Sequence, residues 1–289
     1  MRGIVLVDKE VGLSTYDLIR IIKNQSGNNF KIGHSGTLDP LACGIVVLLF
    51  NEATKISNFL MDYEKEYVGV IKLGIVTDTD DITGKIIEKK KVPKLKKEEI
   101  LEILRNFVGK ILQEPPKYSA IKINGEPSYL RARRKEEIIP KKRLVECYQI
   151  ELIDYFRDTL LIKTVVGKGF YLRSLARDIG KKIGCGGTLA GLKRLRIGKW
   201  QLQDCLKAWE LNYENIEKNL IPIREALYKF KEYFYDKKTI ENFKREKKLS
   251  CSDEGNGYCK VISDDEKVLI VGEKEDKLIK FLKLIYEDN

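Results

Sequence analysis

The chain has 289 residues, of which 43% are hydrophobic and 34% charged, and a formal net charge of +11. That length allows one large domain, or a large one with a small companion, and the apolar content excludes a disordered chain. No stretch approaches the about 20 apolar residues of a membrane span, and the N-terminus lacks the apolar run of a secretion signal, so a cytoplasmic protein is expected.

Ile4-Val5-Leu6-Val7 reads as a short buried strand. Ser14 then reads as a helix N-cap, with Tyr16, Leu18, Ile19, Ile21 and Ile22 as the apolar face of a helix ending near Gln25. Residues 26–44 are rich in Gly, Ser and Asn and are expected to be mostly loop. Ile45 to Phe50 is the next strand, followed by a helix around 53–62 and a strand over 66–74 whose larger apolar members are Tyr67, Val70 and Leu73. A further strand is expected at 85–91 and an amphipathic helix at 97–108, built on Ile100, Leu101, Ile103, Leu104 and Phe107. Residues 113–143 carry Pro115-Pro116, an Asn124-Gly125 turn and many basic side chains, and read as an insertion outside the core. Strands follow near 144–155 and 159–167, then a helix from Tyr171 to Ile183. The last 60 residues or so change character, with charged helical turns to about Leu249 and a hairpin of 259–262 with 268–271. Short strands interleaved with helices point to an α+β fold with a mixed, mainly antiparallel sheet. The expected division is a domain over 1–228 and a small β-rich C-terminal domain over 229–289.

The positive charge is concentrated. Residues 85–143 hold 18 Lys/Arg against 8 Asp/Glu, and residues 163–199 hold 10 against 1. Two basic zones on an otherwise acidic chain suggest a polyanion partner, with a solvated lysine-rich surface as the plainer reading. Several familiar motifs are absent or incomplete. Gly167-x-Gly169 and Gly184-x-Gly186-Gly187 lack the third glycine of a dinucleotide fingerprint, and there is no phosphate-binding Gly-Lys-Ser/Thr loop. Asp78-Thr79-Asp80-Asp81 has Thr83 where a calcium loop needs glycine, so it reads as an acidic turn. The six cysteines form no Cys-x-x-Cys and there is one histidine, which leaves reduced thiols and no metal site as the expectation.

One segment stands apart: Gly33-His34-Ser35-Gly36-Thr37-Leu38-Asp39-Pro40-Leu41-Ala42-Cys43-Gly44. Its glycines permit unusual backbone shapes, and Pro40 restricts Asp39 to extended conformations. On these grounds alone Asp39 either stabilises its own turn or carries chemistry from a loop on a rigid scaffold.

The segment closely resembles the catalytic motif of the TruB family of pseudouridine synthases, Gly-His-Thr-Gly-Thr-Leu-Asp-Pro-Leu-Ala-Thr-Gly, departing at Ser35 and Cys43. Satellites occur in order. Asp8-Lys9-Glu10-Val11-Gly12-Leu13-Ser14-Thr15 is similar to the family's opening motif, with Glu10 for proline. Lys65-Glu66-Tyr67 matches its Lys-x-Tyr. Residues 115–122 with Gly125 and Tyr129 resemble its RNA-gripping insertion. Gly169 to Leu175 with Asp178-Ile179-Gly180 resembles its arginine motif, with Phe170 for threonine, and Leu192-Lys193-Arg194 its Leu-Arg-Arg.

The resemblance covers roughly residues 3–225 and, more weakly, a PUA-like C-terminal domain. It implies a cofactor-free isomerase acting on uridine-55 in the T-arm of tRNA, as a monomer without an obligatory protein partner. It makes Asp39 the catalytic carboxylate and Arg173 its partner. Tyr67 would stack on the flipped base and is a candidate for removing its C5 proton. Tyr171 would contact the nucleotide, Leu192 would form part of the apolar wall, and His34 would fill the space the base vacates. Asp39 would act at C6, C1′ or C2′; the sequence leaves these open. The competing readings are a guide-dependent enzyme acting on ribosomal RNA, a non-catalytic RNA-binding or chaperone protein, and a glycosidase pairing Asp39 with Asp178.

Overall fold

The computed structural model describes residues 1–26, 30–119, 122–123, 126–128, 131, 134, 136 and 140–288. The expected Asn124-Gly125 turn, and Ala120, Ile121 and Tyr129 of the resemblance, lie outside the described residues.

In chain order the first elements are β1 (Gly3–Lys9), α1 (Thr15–Ser26), β2 (Ile32–His34), β3 (Ala42–Phe50), a 3₁₀ turn (Asn51–Ile56), α2 (Ser57–Met61) and β4 (Lys65–Leu73). There follow β5 (Ile75–Thr77), β6 (Ile86–Lys89), α3 (Lys97–Arg105), β7 (Gly109–Gln113), the short pair β8 (Lys122–Ile123) and β9 (Glu126–Pro127), β10 (Arg143–Phe156) and β11 (Thr159–Val166). The remainder is α4 (Leu172–Ile183), β12 (Gly187–Ile197), β13 (Trp200–Gln201), β14 (Leu206–Lys207), α5 (Tyr213–Lys218), α6 (Ile223–Ala226), β15 (Lys231–Tyr235), α7 (Lys237–Glu246), β16 (Lys248–Ser250), β17 (Gly257–Ser263), β18 (Val268–Glu275) and β19 (Leu278–Glu287).

The large sheet runs β14-β1-β3-β12-β4-β11-β10-β7, with β2 on β3 and β13 on β12. Only β1–β14 and β3–β12 pair in parallel; the other pairs are antiparallel. The expected α+β class with a mixed, mainly antiparallel sheet is what forms. A second, five-stranded sheet, β15-β17-β18-β19-β16, makes the C-terminal β-rich domain. It is larger than the expected hairpin.

Strand β3 shows why residues 45–50 are apolar without alternation. Val46, Leu48 and Phe50 enter the core covered by α1 and α4, while Ile45, Val47 and Leu49 enter a second core that includes Ile262, Leu269, Val271 and Ile285 of the C-terminal sheet. Both faces are covered, so neither can be polar.

Helix α1 starts at the expected cap. Ser14 Oγ accepts from the Asp17 amide at 3.1 Å and Asp17 accepts the Ser14 amide at 2.7 Å, a reciprocal box in which losing the cap costs about 1 kcal/mol. Leu18, Ile19 and Ile22 are buried, each contributing about 1.5–3 kcal/mol. Tyr16, expected on the same face, is 61% exposed. At about 100° per residue it falls outside the arc spanned by buried Thr15, Leu18, Ile19 and Ile22, past the edge marked by Ile19. The single helix expected at 53–62 is a 3₁₀ turn followed by a short α-helix.

Strand β12 was not anticipated. It lies between β3 and β4 and pairs with both. Gly187 of the Gly184-x-Gly186-Gly187 segment and Gly180 of α4 let strand and helix touch: a Cβ at Gly187 would fall 2.6 Å from the Ala176 carbonyl oxygen, and one at Gly180 2.1 Å from the Gly187 amide nitrogen. The 113–143 excursion begins and ends in register, with Gln113 facing Arg143 across β7 and β10.

Candidate active site

The loop between β2 and β3 is fastened from four directions. The Ser35 amide donates to the Val47 carbonyl at 3.0 Å. At the start of α1, Thr15 Oγ1 accepts the Leu38 amide at 3.0 Å and donates to the Leu38 carbonyl at 3.2 Å. The Gly12 amide donates to the Pro40 carbonyl at 2.8 Å. Lys9, fully buried, donates from Nζ to the carbonyls of Glu10, Leu13 and Ala42 at 2.9, 2.7 and 2.5 Å. Burial pushes its ammonium down to about 8. Together these bonds fix the backbone on both sides of Asp39 while its side chain stays 38% exposed.

Arg173, in the first turn of α4, meets Asp39 with Nε 2.9 Å from Oδ2. No hydrogen is directed along this contact, so it is an ion pair rather than an aligned hydrogen bond. The rest of the guanidinium is held from behind. Its Nη1 donates to the Thr79 carbonyl at 3.3 Å and sits 3.6 Å from Asp81, and Nη2 donates to the Tyr118 carbonyl at 2.9 Å. Asp81 in turn accepts from Thr79 and from both Thr83 groups. The acidic turn at 78–81 therefore forms the platform for the arginine, which its sequence did not reveal.

Tyr171 precedes Arg173 as the N-cap of α4. The Gln113 side chain brackets its backbone, accepting from the amide at 2.7 Å and donating to the carbonyl at 3.1 Å. Burial raises its phenol above the ordinary value, while nearby Arg173 pulls it down and Asp39 adds to the rise. Tyr67 is buried on β4, directly across from Arg194 of β12. The Arg194 guanidinium donates to the Ile45 carbonyl at 2.7 Å, to the Gly36 carbonyl at 3.4 Å and to the Tyr67 hydroxyl at 3.5 Å. Arg194 thus ties Tyr67 to the Asp39 loop. It needs close backbone approach, and Gly44 supplies it: at φ +107, a Cβ there would lie 2.2 Å from the Arg194 carbonyl oxygen.

Leu192 is half-buried opposite Ala42 and Gly69. His34 begins the loop across from Leu48, with its Nδ1 buried and unpartnered; burial, with Arg194 adding to it, lowers its pKa. Of the six residues singled out from the sequence, only Asp39 and Arg173 are in direct polar contact. Among the described residues, no hydrogen bond or ion pair joins His34, Tyr67 or Tyr171 to Asp39. Lys9, Thr15, Asp81, Gln113 and Arg194 received no individual roles in the sequence reading. Lys9, Thr15 and Arg194 do sit in the motif satellites, which is the signal that marks them.

The basic zone at 163–199 is only partly a surface feature. Arg173 and Arg194 are buried, Arg177 pairs with Asp80 and Asp178 at 2.9 Å, and Arg196 pairs with Glu64 at 2.7 Å. Asp178 is therefore committed to Arg177, which gives no support to the glycosidase pairing. Among the described residues no group of three or more His, Cys, Asp or Glu is placed to hold a metal, and no helix is long and apolar enough to cross a membrane. All six cysteines are unpaired.

The chain is similar to known proteins along its length. The family described as TruB family pseudouridylate synthase (N terminal domain) matches residues 20–172. A tRNA pseudouridine synthase B of Clostridium tetani is 35% identical over 290 residues, covering 99% of this chain and 100% of the relative. The protein of that name from Clostridium kluyveri is 36% identical over 98% of this chain and 99% of its own, and that of Francisella philomiragia 42% identical over 77% and 74%. Among solved structures, a chain of a Cbf5-Nop10-Gar1 complex superposes with TM-score 0.73 at 20% identity, over 99% of this chain and 85% of that one, which speaks for the fold. The chain belongs to the TruB family of pseudouridylate synthases.

Proposed function

We propose that the protein is a stand-alone tRNA pseudouridine synthase, cytoplasmic and monomeric, that converts uridine-55 in the T-loop to pseudouridine, with Asp39 as the catalytic carboxylate. The observation that carries this reading is the Asp39–Arg173 ion pair, on a loop fastened by Thr15, Lys9 and Arg194. The reaction breaks the N1–C1′ bond, turns the base and joins C5 to C1′; C5 loses its proton and the freed N1 takes one up, so the change is a net isomerisation. It needs no redox change and no phosphate energy, so a positioned carboxylate suffices.

The target base leaves its stack at a cost of about a few kcal/mol. Tyr67 stacks on it and relays the C5 proton, its oxygen accepting that proton as its own passes to solvent. Leu192 walls the apolar side, Tyr171 contacts the nucleotide, and His34 occupies the vacated space. Arg173 orients Asp39 by charge rather than by a directed hydrogen bond. The 113–143 excursion closes on the RNA backbone, and the C-terminal domain at 229–289, PUA-like, adds RNA contacts. Relatives named tRNA pseudouridine synthase B, matched along nearly the whole chain, support the stand-alone reading over a guide-dependent one.

The test is turnover on a bare T-arm stem-loop transcript with no other protein present, with the modified position mapped afterwards. Pseudouridine at position 55 alone is expected. Activity that appears only when a guide RNA or partner protein is added would overturn the proposal.

A further inference from the structure

A cavity of about 780 Å³ opens at the far end of β4, away from Asp39. Leu73 lines it, together with the end of β6 and the β6–α3 linker, with Lys89, Lys90 and Lys94, and the end of β10 and the β10–β11 turn, with Tyr155, Arg157 and Asp158. Leu73 lies six residues along β4 from Tyr67, roughly 20 Å at strand spacing. None of these residues belongs to the candidate active site.

The charges around the cavity do not cancel. Asp158 is taken by Lys72 at 2.5 Å, and that bond holds its carboxyl below the usual range. Lys90 is taken by Glu88 at 3.0 Å. Among the described residues, Lys89, Lys94 and Arg157 have no carboxylate partner, and all three are exposed. Arg157 has φ +56 at the turn and lies over the Phe156 ring at 5.0 Å; Phe156 is itself 65% exposed. Lys89, Lys94 and Arg157, three uncompensated cations around a cleft lined also by Leu73, Val92 and Leu95, are what grips a polynucleotide backbone, charge meeting phosphates; Phe156 lies beside the cleft rather than in its lining.

We infer that this cleft is a second RNA-binding site, which takes phosphodiester groups of the tRNA body outside the T-arm while the T-loop is at Asp39. The inference rests on the proposed function. The cleft selects whole tRNA over a fragment, because an isolated T-arm engages the Asp39 end and leaves the cleft empty. Its contribution is electrostatic and appears in affinity and salt dependence, with the chemical step unchanged.

The experiment compares the wild type with the Lys89→Ala/Lys94→Ala/Arg157→Ala variant, measuring dissociation constants over a series of salt concentrations for full-length tRNA and for a T-arm stem-loop. For full-length tRNA the variant is expected to bind roughly tenfold more weakly near physiological salt, with the slope of log affinity against log salt reduced by about 2. For the stem-loop, affinity, slope and single-turnover rate are expected to stay at wild-type values, which also shows that the variant folds. Unchanged binding of full-length tRNA, or equal weakening of both RNAs, would overturn the inference. Absence of turnover by the wild type on either RNA would instead count against the proposed function and leave the binding comparison standing.

Discussion

At the scale of single residues, Arg173 gives different nitrogens different tasks: Nε faces Asp39, while Nη1 and Nη2 grip the carbonyls of Thr79 and Tyr118. A lysine has one compact ammonium and cannot span these points. Arg173→Lys is therefore expected to lower kcat by about 100-fold or more, with RNA binding close to wild type, a loss of the size seen when one oriented electrostatic group is removed. Single-turnover kinetics beside a binding titration check this; a tenfold or smaller change would show that the guanidinium fork is dispensable. Gly44→Ala is expected to destabilise the protein by several kcal/mol, because the new methyl meets the Arg194 carbonyl oxygen and φ is +107. A thermal melt within 2–3 °C of wild type, the shift expected from under about 1 kcal/mol in a chain of this size, would contradict it. The sequence made Asp39 and Arg173 legible because their motifs are contiguous. It could not show that the carbonyls of Thr79 and Tyr118 hold Arg173, because backbone partners far along the chain leave no residue signature.

At the scale of elements, the β7–β10 excursion has its two ends paired, Gln113 to Arg143. Gln113 also brackets the Tyr171 backbone. Closure of that excursion on RNA is expected to give steeply salt-dependent binding through counterion release. Affinity measured across a salt series checks this, and a nearly flat dependence would sink the idea. Strands with one buried face were readable from alternation, as over 159–167. Strand β12 was not. It begins with small residues, carries buried Arg194 in place of an apolar side chain, and has bulges against β4. Its charge suits a site rather than a core, so periodicity has nothing to detect. Residues 53–62 suggest a single helix because apolar spacing does not separate a 3₁₀ turn from an α-helix over so few residues.

At the scale of the whole molecule, the C-terminal sheet shares a core with the back of the large sheet. Ile262, Leu269, Val271 and Ile285 pack with Ile4, Leu6 and Val47, and Lys55 donates to the Ile285 carbonyl at 2.6 Å. A chain cut after residue 228 would leave that apolar face open. It is expected to melt well below the full chain and to aggregate; an unchanged melting temperature would show the two parts to be independent. The fold also predicts a pH dependence. Burial, with Arg194 adding to it, lowers the Lys65 ammonium to about 7, and burial lowers Lys9 to about 8. Above these values the folded state has released protons that the unfolded chain keeps until about pH 10.5. Their contribution to stability therefore rises with pH from about 7, and below that it is flat because both states are protonated. The urea midpoint is expected to climb between about pH 7 and 8.5, before the buried thiols begin to cost stability as the unfolded cysteines ionise near pH 9. Lys65→Met is expected to flatten the climb, and an equally steep climb in that variant would clear Lys65 of the effect.

Asp39 carries the proposed chemistry, and tritium release from a tRNA transcript carrying 5-tritiated uridine reads that chemistry out. Wild type is expected to release the label, while Asp39→Asn binds the same transcript and releases none above background. Equal release by both proteins would remove Asp39 from that role.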